Sequence, residues 1–362
     1  MHRPIPHPLA VAIFAGMLQL PAQAALNAVD PGAYIPANGG FPAWYQDSHG
    51  RTLDLCLTKA VSSRAAGAPG APAYMCTLLP TPGVFDDTQP IAFPTNFPDE
   101  AFWFTADAAI VDAARGIDLS YGSAIEAAFA AEEPVEGDQV SFARVRIRVD
   151  VPVAGTYIIT HPYGVEVFDV PAAGRRAINM TRDIGIGPSG DYTGALKGDI
   201  GPFLRSVNGP YTETNPDTGQ QEKFVGDPNL EEQVTGSPFN TNFLRIQGPN
   251  GIDIRSDVFA VSGKLSAVDL PAPALVKRAS YSRGNTPTGV VAHQDVFTLA
   301  PPPPGSVTFL DSAGTAVTMT EANTTGSWFG QSAVNPKVPA TLQVTADNHL
   351  AIPTALPPTT VP

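Results

Sequence analysis

Cysteine is nearly absent: the 362-residue sequence holds only Cys56 and Cys76. They do not form a C-x-x-C pair, which argues against a redox couple or a thiolate metal site. Charge is scarce too, at 15 % of residues, and short on the positive side, with 21 Lys and Arg against 34 Asp and Glu. A formal charge of −13 repels phosphate backbones and anionic headgroups, so nucleic acid is not an expected partner. Long apolar runs are missing as well. The longest, Leu9 to Leu20, falls short of the roughly 20 residues a spanning helix needs, and no membrane span is expected.

Chemical signatures are equally thin. There is no H-E-x-x-H, no G-x-S-x-G, no Walker loop and no dinucleotide fingerprint within a βαβ frame. The four histidines beyond the N-terminal region, His49, His161, His293 and His349, lie far apart. Asp183, Asp199, Asp227, Glu231 and Glu232 could serve two-carboxylate chemistry but read first as surface charges, and Asp86-Asp87 reads as a turn. No cofactor is expected. Calcium is the one ion considered, because Asp217, Gly219 and Glu222 follow part of a calcium-loop order.

What is present begins with a signal peptide over residues 1–24. Arg3 precedes the apolar run, Pro21 breaks it, and Ala22-Gln23-Ala24 offers cleavage between Ala24 and Ala25. Cleavage would remove Arg3 and leave a formal charge of −14. The chain is therefore expected to be exported, to the periplasm, cell surface or medium. There an isolated cysteine pair is expected to close as a disulfide, here across a loop rich in Ser, Ala, Gly and Pro.

Proline (38) and glycine (33) are abundant, which suits many short strands joined by turns. After a lead-in over residues 25–40, Leu53, Leu55 and Leu57 alternate with polar residues as a half-buried strand, and His49 falls in the preceding turn as a solvated residue. Ala101 to Phe104 reads as a core strand. Ser123 to Glu133 fits either a short capped helix or a strand ending at Phe129. From Gln139 to Val170 three strands follow one another, the first with Arg144, Arg146 and Arg148 on its open face. Gly155-Thr156-Tyr157 is similar to a tyrosine corner, and His161-Pro162-Tyr163-Gly164 is a tight turn. Asp183 to Asn208 reads as an irregular Gly-rich loop, Asn215 to Gly219 as a turn, and Thr241 to Gln247 and Asp257 to Leu265 as closing strands.

The expected fold is all-β: a β-sandwich over residues 41–265 with long irregular loops, a Pro/Ala linker over 266–273, a smaller Ig-like β-sandwich over 274–350, and a Pro-rich tail over 351–362. Strand candidates in the second unit are Ala274 to Ser280, Asp295 to Leu299, Ser306 to Leu310 and Ala340 to Ala346, with an extended turn at Pro301 to Pro304.

Several phrases of the first unit, Gly40-Phe41-Pro42-Ala43-Trp44-Tyr45-Gln46-Asp47, Arg144-Val145-Arg146-Ile147, Gly155-Thr156-Tyr157 with Thr160-His161-Pro162-Tyr163-Gly164, and Thr235-Gly236-Ser237-Pro238-Phe239 with Asn242-Phe243, resemble a group of exported bacterial β-rich proteins of unassigned function. The resemblance spans residues 38–265 and brings no catalytic residues with it. The expectation is an exported, non-catalytic surface or matrix binding module with a protein or glycan partner. The alternative is an exported hydrolase or lyase whose site would draw on His161, Tyr163, Asp183 and Asp199.

Overall fold

A computed structural model describes residues 26–355, apart from positions 269, 271, 288, 301–305, 312, 323–325, 334–340, 343, 347–348 and 352–353. The signal peptide, its cleavage point at Ala24 and Ala25, the Pro301 to Pro304 turn and most of the tail lie outside the described residues.

The described chain is built from strands, with three short 3-10 turns and no α-helix. The first nine strands are β1 (Leu26–Val29), β2 (Trp44–Asp47), β3 (Thr52–Asp54), β4 (Glu100–Asp112), β5 (Ile117–Phe129), β6 (Gln139–Val151), β7 (Gly155–His161), β8 (Gly164–Val170) and β9 (Gly174–Ile184). Then come β10 (Arg205–Ser206), β11 (Tyr211–Thr214), β12 (Gln221–Phe224), β13 (Glu232–Thr235), β14 (Leu244–Gly248), β15 (Ile252–Ser256), β16 (Val258–Ser262) and β17 (Lys264–Leu265). The C-terminal strands are β18 (Ala272–Thr286), β19 (Gly289–Leu299), β20 (Val307–Leu310), β21 (Ala316–Thr318), β22 (Thr320–Ala322), β23 (Ser327–Gln331), β24 (Thr341–Leu342), β25 (Val344–Ala346), β26 (His349–Ala351) and β27 (Thr354–Ala355).

A seven-stranded sheet, ordered β10-β13-β16-β4-β5-β6-β9, is the centre of the N-terminal part. A four-stranded sheet (β15-β14-β7-β8) and a six-stranded sheet (β1-β2-β3-β17-β12-β11) complete it. All ladders are antiparallel except β18 with β26. The alternation read in β6 is what the sheet uses. Val145, Ile147 and Val149 enter the core, while Arg144, Arg146 and Arg148 face outward. Opposite them Tyr157, Ile159, Leu244 and Ile246 close one continuous core. Hydrophobic side chains from residues 274–344 form a separate cluster around Val296, Phe309 and Trp328.

Ser123 to Glu133 resolves as strand up to Phe129. Ala and Glu favour helix, but β5 pairs along its whole length with β4 on one side and β6 on the other, and this double ladder overrides propensity. The lead-in is also part of the fold: β1 pairs with β2, and Leu26 is buried. At the other end of the N-terminal part, Ala272 and Pro273 already belong to β18. Asp183 and Ile184 complete β9 rather than opening the irregular loop.

Cys56 and Cys76 are bonded, beside Met75 and Phe224. The bridge closes a loop spanning 20 positions, which the chain-entropy model values at about 3 kcal/mol.

The tyrosine corner is present. The Tyr157 hydroxyl donates to the Val153 carbonyl at 2.9 Å, and the ring is fully buried. Two glycines make room for it. Gly155 has φ +143°, and a Cβ there would meet Pro249 at 2.4 Å; a Cβ on Gly248 would lie 2.6 Å from the Tyr157 ring. Tyr157→Phe keeps the ring and strands the carbonyl. We expect a loss of about 1 kcal/mol in urea unfolding with an unchanged m-value. Unchanged stability would remove the corner bond from the account.

Candidate functional site

Three of the four sequence-predicted residues come together, and the fourth does not. His161 ends β7 and is 0 % exposed. Its Nδ1 accepts the backbone N–H of Tyr163 at 3.3 Å, which places the proton on Nε2. Nε2 lies 3.9 Å from Glu166 Oε1, beyond hydrogen-bond reach, and has no hydrogen-bond partner. Tyr163 is buried beside it and donates its hydroxyl to the Pro202 carbonyl at 3.1 Å.

A charged strap crosses above His161. Glu166, on the inward side of edge strand β8, accepts from Arg182 of β9 at 2.6 Å, and Arg182 reaches Asp199 at 3.0 Å. Burial holds His161 below the ordinary imidazole range, against the pull of Glu166. The nearby His161 ring is the first cause that lowers the Glu166 carboxyl, and Arg182 adds to this. The phrase that carried part of the resemblance locks the turn from the other side: Ser237 Oγ donates to the Pro162 carbonyl at 2.7 Å and Thr241 Oγ1 to the His161 carbonyl at 3.1 Å. A base that is sealed, capped by its own backbone and roofed by an ion-pair chain is built to hold strands together.

Asp183 is on the other face of the sheet. Neighbouring residues of a strand point to opposite sides, so Arg182 turns inward and Asp183 outward. There Asp183 binds Arg144 through two bonds of 2.7 and 3.0 Å. Arg144 also donates to both oxygens of Glu126, at 2.9 and 3.0 Å, and lies 3.8 Å from Glu100. Glu126 is 1 % exposed. Burial pushes its carboxyl up to about 8, with Arg144 opposing and Glu100 reinforcing. It therefore holds a proton at neutral pH while sharing Arg144 with Asp183.

Of the other carboxylate candidates Glu231 is exposed, and two have structural partners. Asp227 accepts from Ser62 and Arg64, and Glu232 accepts from Tyr211 and Asn208. In the turn considered for calcium, Asn215 Oδ1 caps the N–H of Asp217, and Glu222 is engaged by Asn215 and Lys264. Among the described residues no group of three or more His, Cys, Asp or Glu is placed to hold a metal ion. His49 is half-buried rather than solvated, and burial lowers its pKa.

An open hollow of about 230 Å³ lies on the C-terminal sheet, lined by Lys277, Phe297, Leu299, Ser327 and Phe329 with Thr298 and Trp328. Phe297 and Phe329 are directly paired across β19 and β23, with ring centroids 4.9 Å apart and planes at 39°. They are 40 % and 39 % exposed, while Trp328 between them turns inward and donates Nε1–H to the Ala300 carbonyl at 3.1 Å. This pair was not singled out in the sequence. The signal was there: in Ser327-Trp328-Phe329 a strand can send only one of two adjacent aromatics to the core.

No protein-family model, curated protein or solved structure matches the chain. The functional reading rests on geometry.

Glu126 supplies a pH test. Its folded pKa of about 8 lies above the unfolded 4.5, so the native state alone keeps the proton between these values. The group's contribution is complete below the unfolded pKa and is lost as pH rises through the folded one. His161 has the opposite sign: its folded pKa is lowered, so its contribution is complete above about 6.5 and falls on acidification. Glu126→Gln, neutral at every pH, is expected to gain on the order of 2 kcal/mol relative to wild type between pH 5 and pH 8.5 in urea unfolding. A difference between the two proteins that stays flat over this range would show that Glu126 ionises normally.

Proposed function

We propose that the protein is an exported, non-catalytic binding and structural module. In this reading residues 1–24 direct export, residues 266–273 join a β-sandwich to a smaller Ig-like unit, and the second unit carries the recognition surface. The observation that carries the reading is the pair of exposed phenylalanine rings over an open hollow. Solvent-facing aromatics beside a concave surface are what ligand sites are made of. The disulfide fits an oxidising compartment. The sealing of His161 supports the non-catalytic part, since a general base must reach its substrate or a water.

A second reading keeps an exported carboxylate hydrolase or lyase. One observation favours it: Glu126, its carboxyl pushed up to about 8 by burial, shares Arg144 with a second carboxyl, Asp183.

Glycan and protein arrays probed with the purified mature chain decide between them. The binding reading expects retained ligands whose signal is lost in Phe329→Ala, with no release of products from any glycan. Turnover of an array glycan that falls by 10²-fold or more in Glu126→Gln, in a variant that still folds, would establish the enzyme reading instead.

A further inference from the structure

The hollow has a chemical character beyond its aromatic floor. The ladder between β18 and β19 pairs Val276 with Thr298 and Arg278 with Phe297, leaving Lys277 as an extra residue in a bulge. A bulge re-aims side chains. Here Lys277 turns into the hollow while Arg278 stands exposed opposite Phe297. Burial alone lowers the Lys277 ammonium, and among the described residues no carboxylate pairs with it. Its charge also reaches the turn between β2 and β3, where Lys277, Arg51 and Arg205 together disfavour protonation of His49. Arg51 is paired with Asp47, so the unpaired charge beside the aromatic surface is a short strip of Lys277 and Arg278, on a protein whose formal charge is −13. Such a strip is complementary to an anion that also offers an apolar face.

Shape narrows the class. A volume of about 230 Å³ is below the roughly 300–1,000 Å³ of sites that enclose a drug-sized ligand, so it suits one ring of a larger molecule passing over the surface. Along the outward ladder, the Phe297–Phe329 pair is flanked by Asp295–Gln331 on one side and Leu299–Ser327 on the other. Gln331 Nε2 donates to Asp295 Oδ1 at 2.8 Å. Aromatic rings with a polar rung on one side and a Leu–Ser rung on the other match a sugar, whose C–H face stacks while its hydroxyls bond outward.

Resting on the binding-module reading, we propose that this hollow binds a uronate unit of an acidic polysaccharide, its ring on Phe297 and Phe329 and its carboxylate on Lys277. The surface recognises the polymer one ring at a time, and the Arg278 charge favours a neighbouring uronate along the chain.

The test is calorimetric titration of the mature full-length chain with an oligogalacturonate, a neutral cello-oligosaccharide of equal length and polyglutamate. The expected result is binding of the oligogalacturonate alone, weakened by raising NaCl from 50 to 500 mM. Lys277→Met is expected to weaken it about tenfold or more, Lys277→Arg to retain it, and Phe329→Ala to weaken it as strongly. Melting temperatures of all three variants near wild type confirm that they fold. Equal binding of the neutral oligosaccharide, lost in Phe329→Ala, would overturn the uronate while leaving the binding module standing. Binding of polyglutamate in place of the sugar would also overturn it, in favour of an acidic protein partner. Absence of all three, together with silent arrays, would overturn both.

Discussion

The pleat of β9 decides what the N-terminal part of this protein can do. Arg182 and Asp183 are adjacent in sequence and separated by the thickness of a sheet. One joins the strap over His161, the other the arginine cluster on the outer face. A register slip would not unite them, because neighbours in a strand keep to opposite faces, and a one-residue slip of β9 would carry the buried Ile178 to the outer face.

The same constraint gives each arginine a structural task. Arg182 ties the edges of two sheets, β8 to β9, where the sandwich would otherwise open. Arg144 gathers Glu100, Glu126 and Asp183 from three adjacent strands, β4, β5 and β9, around its own on β6. Each cluster buries charge, and each compensates it with geometry that uses bidentate or bridging bonds. The cost is visible in Glu126, which keeps a proton, and in His161, which gives one up. Lys277 beside Phe297 and Phe329 differs from both clusters, since no carboxylate among the described residues pairs with it, and this contrast is what the proposed binding surface rests on.

Much of this was legible in the chain. Period-two alternation placed β6, β7 and β8. Gly-x-Tyr announced the corner bond of Tyr157, and the lone cysteine pair announced its bridge. Ser123 to Glu133 was ambiguous because local propensity and two-sided pairing pull in different directions, and pairing is non-local. Glu166 and Arg182, which connect Asp199 to the surroundings of His161, have no motif; they are neighbours only after two hairpins form. Asp183 was misplaced by the parity of a single strand position. The bulge at Lys277 left no mark in the sequence, since a bulge is a property of the ladder and not of one strand.

The central claim is that the histidine cluster is sealed and structural. Nitrogen-detected NMR of His161 in the folded mature chain tests it most directly. The account predicts a neutral ring with its proton on Nε2, slow exchange of that proton with water, and a titration displaced below the ordinary imidazole range. A ring that exchanges freely and titrates near 6.5 would contradict it, and would reopen the start of the β7–β8 hairpin as a site of chemistry.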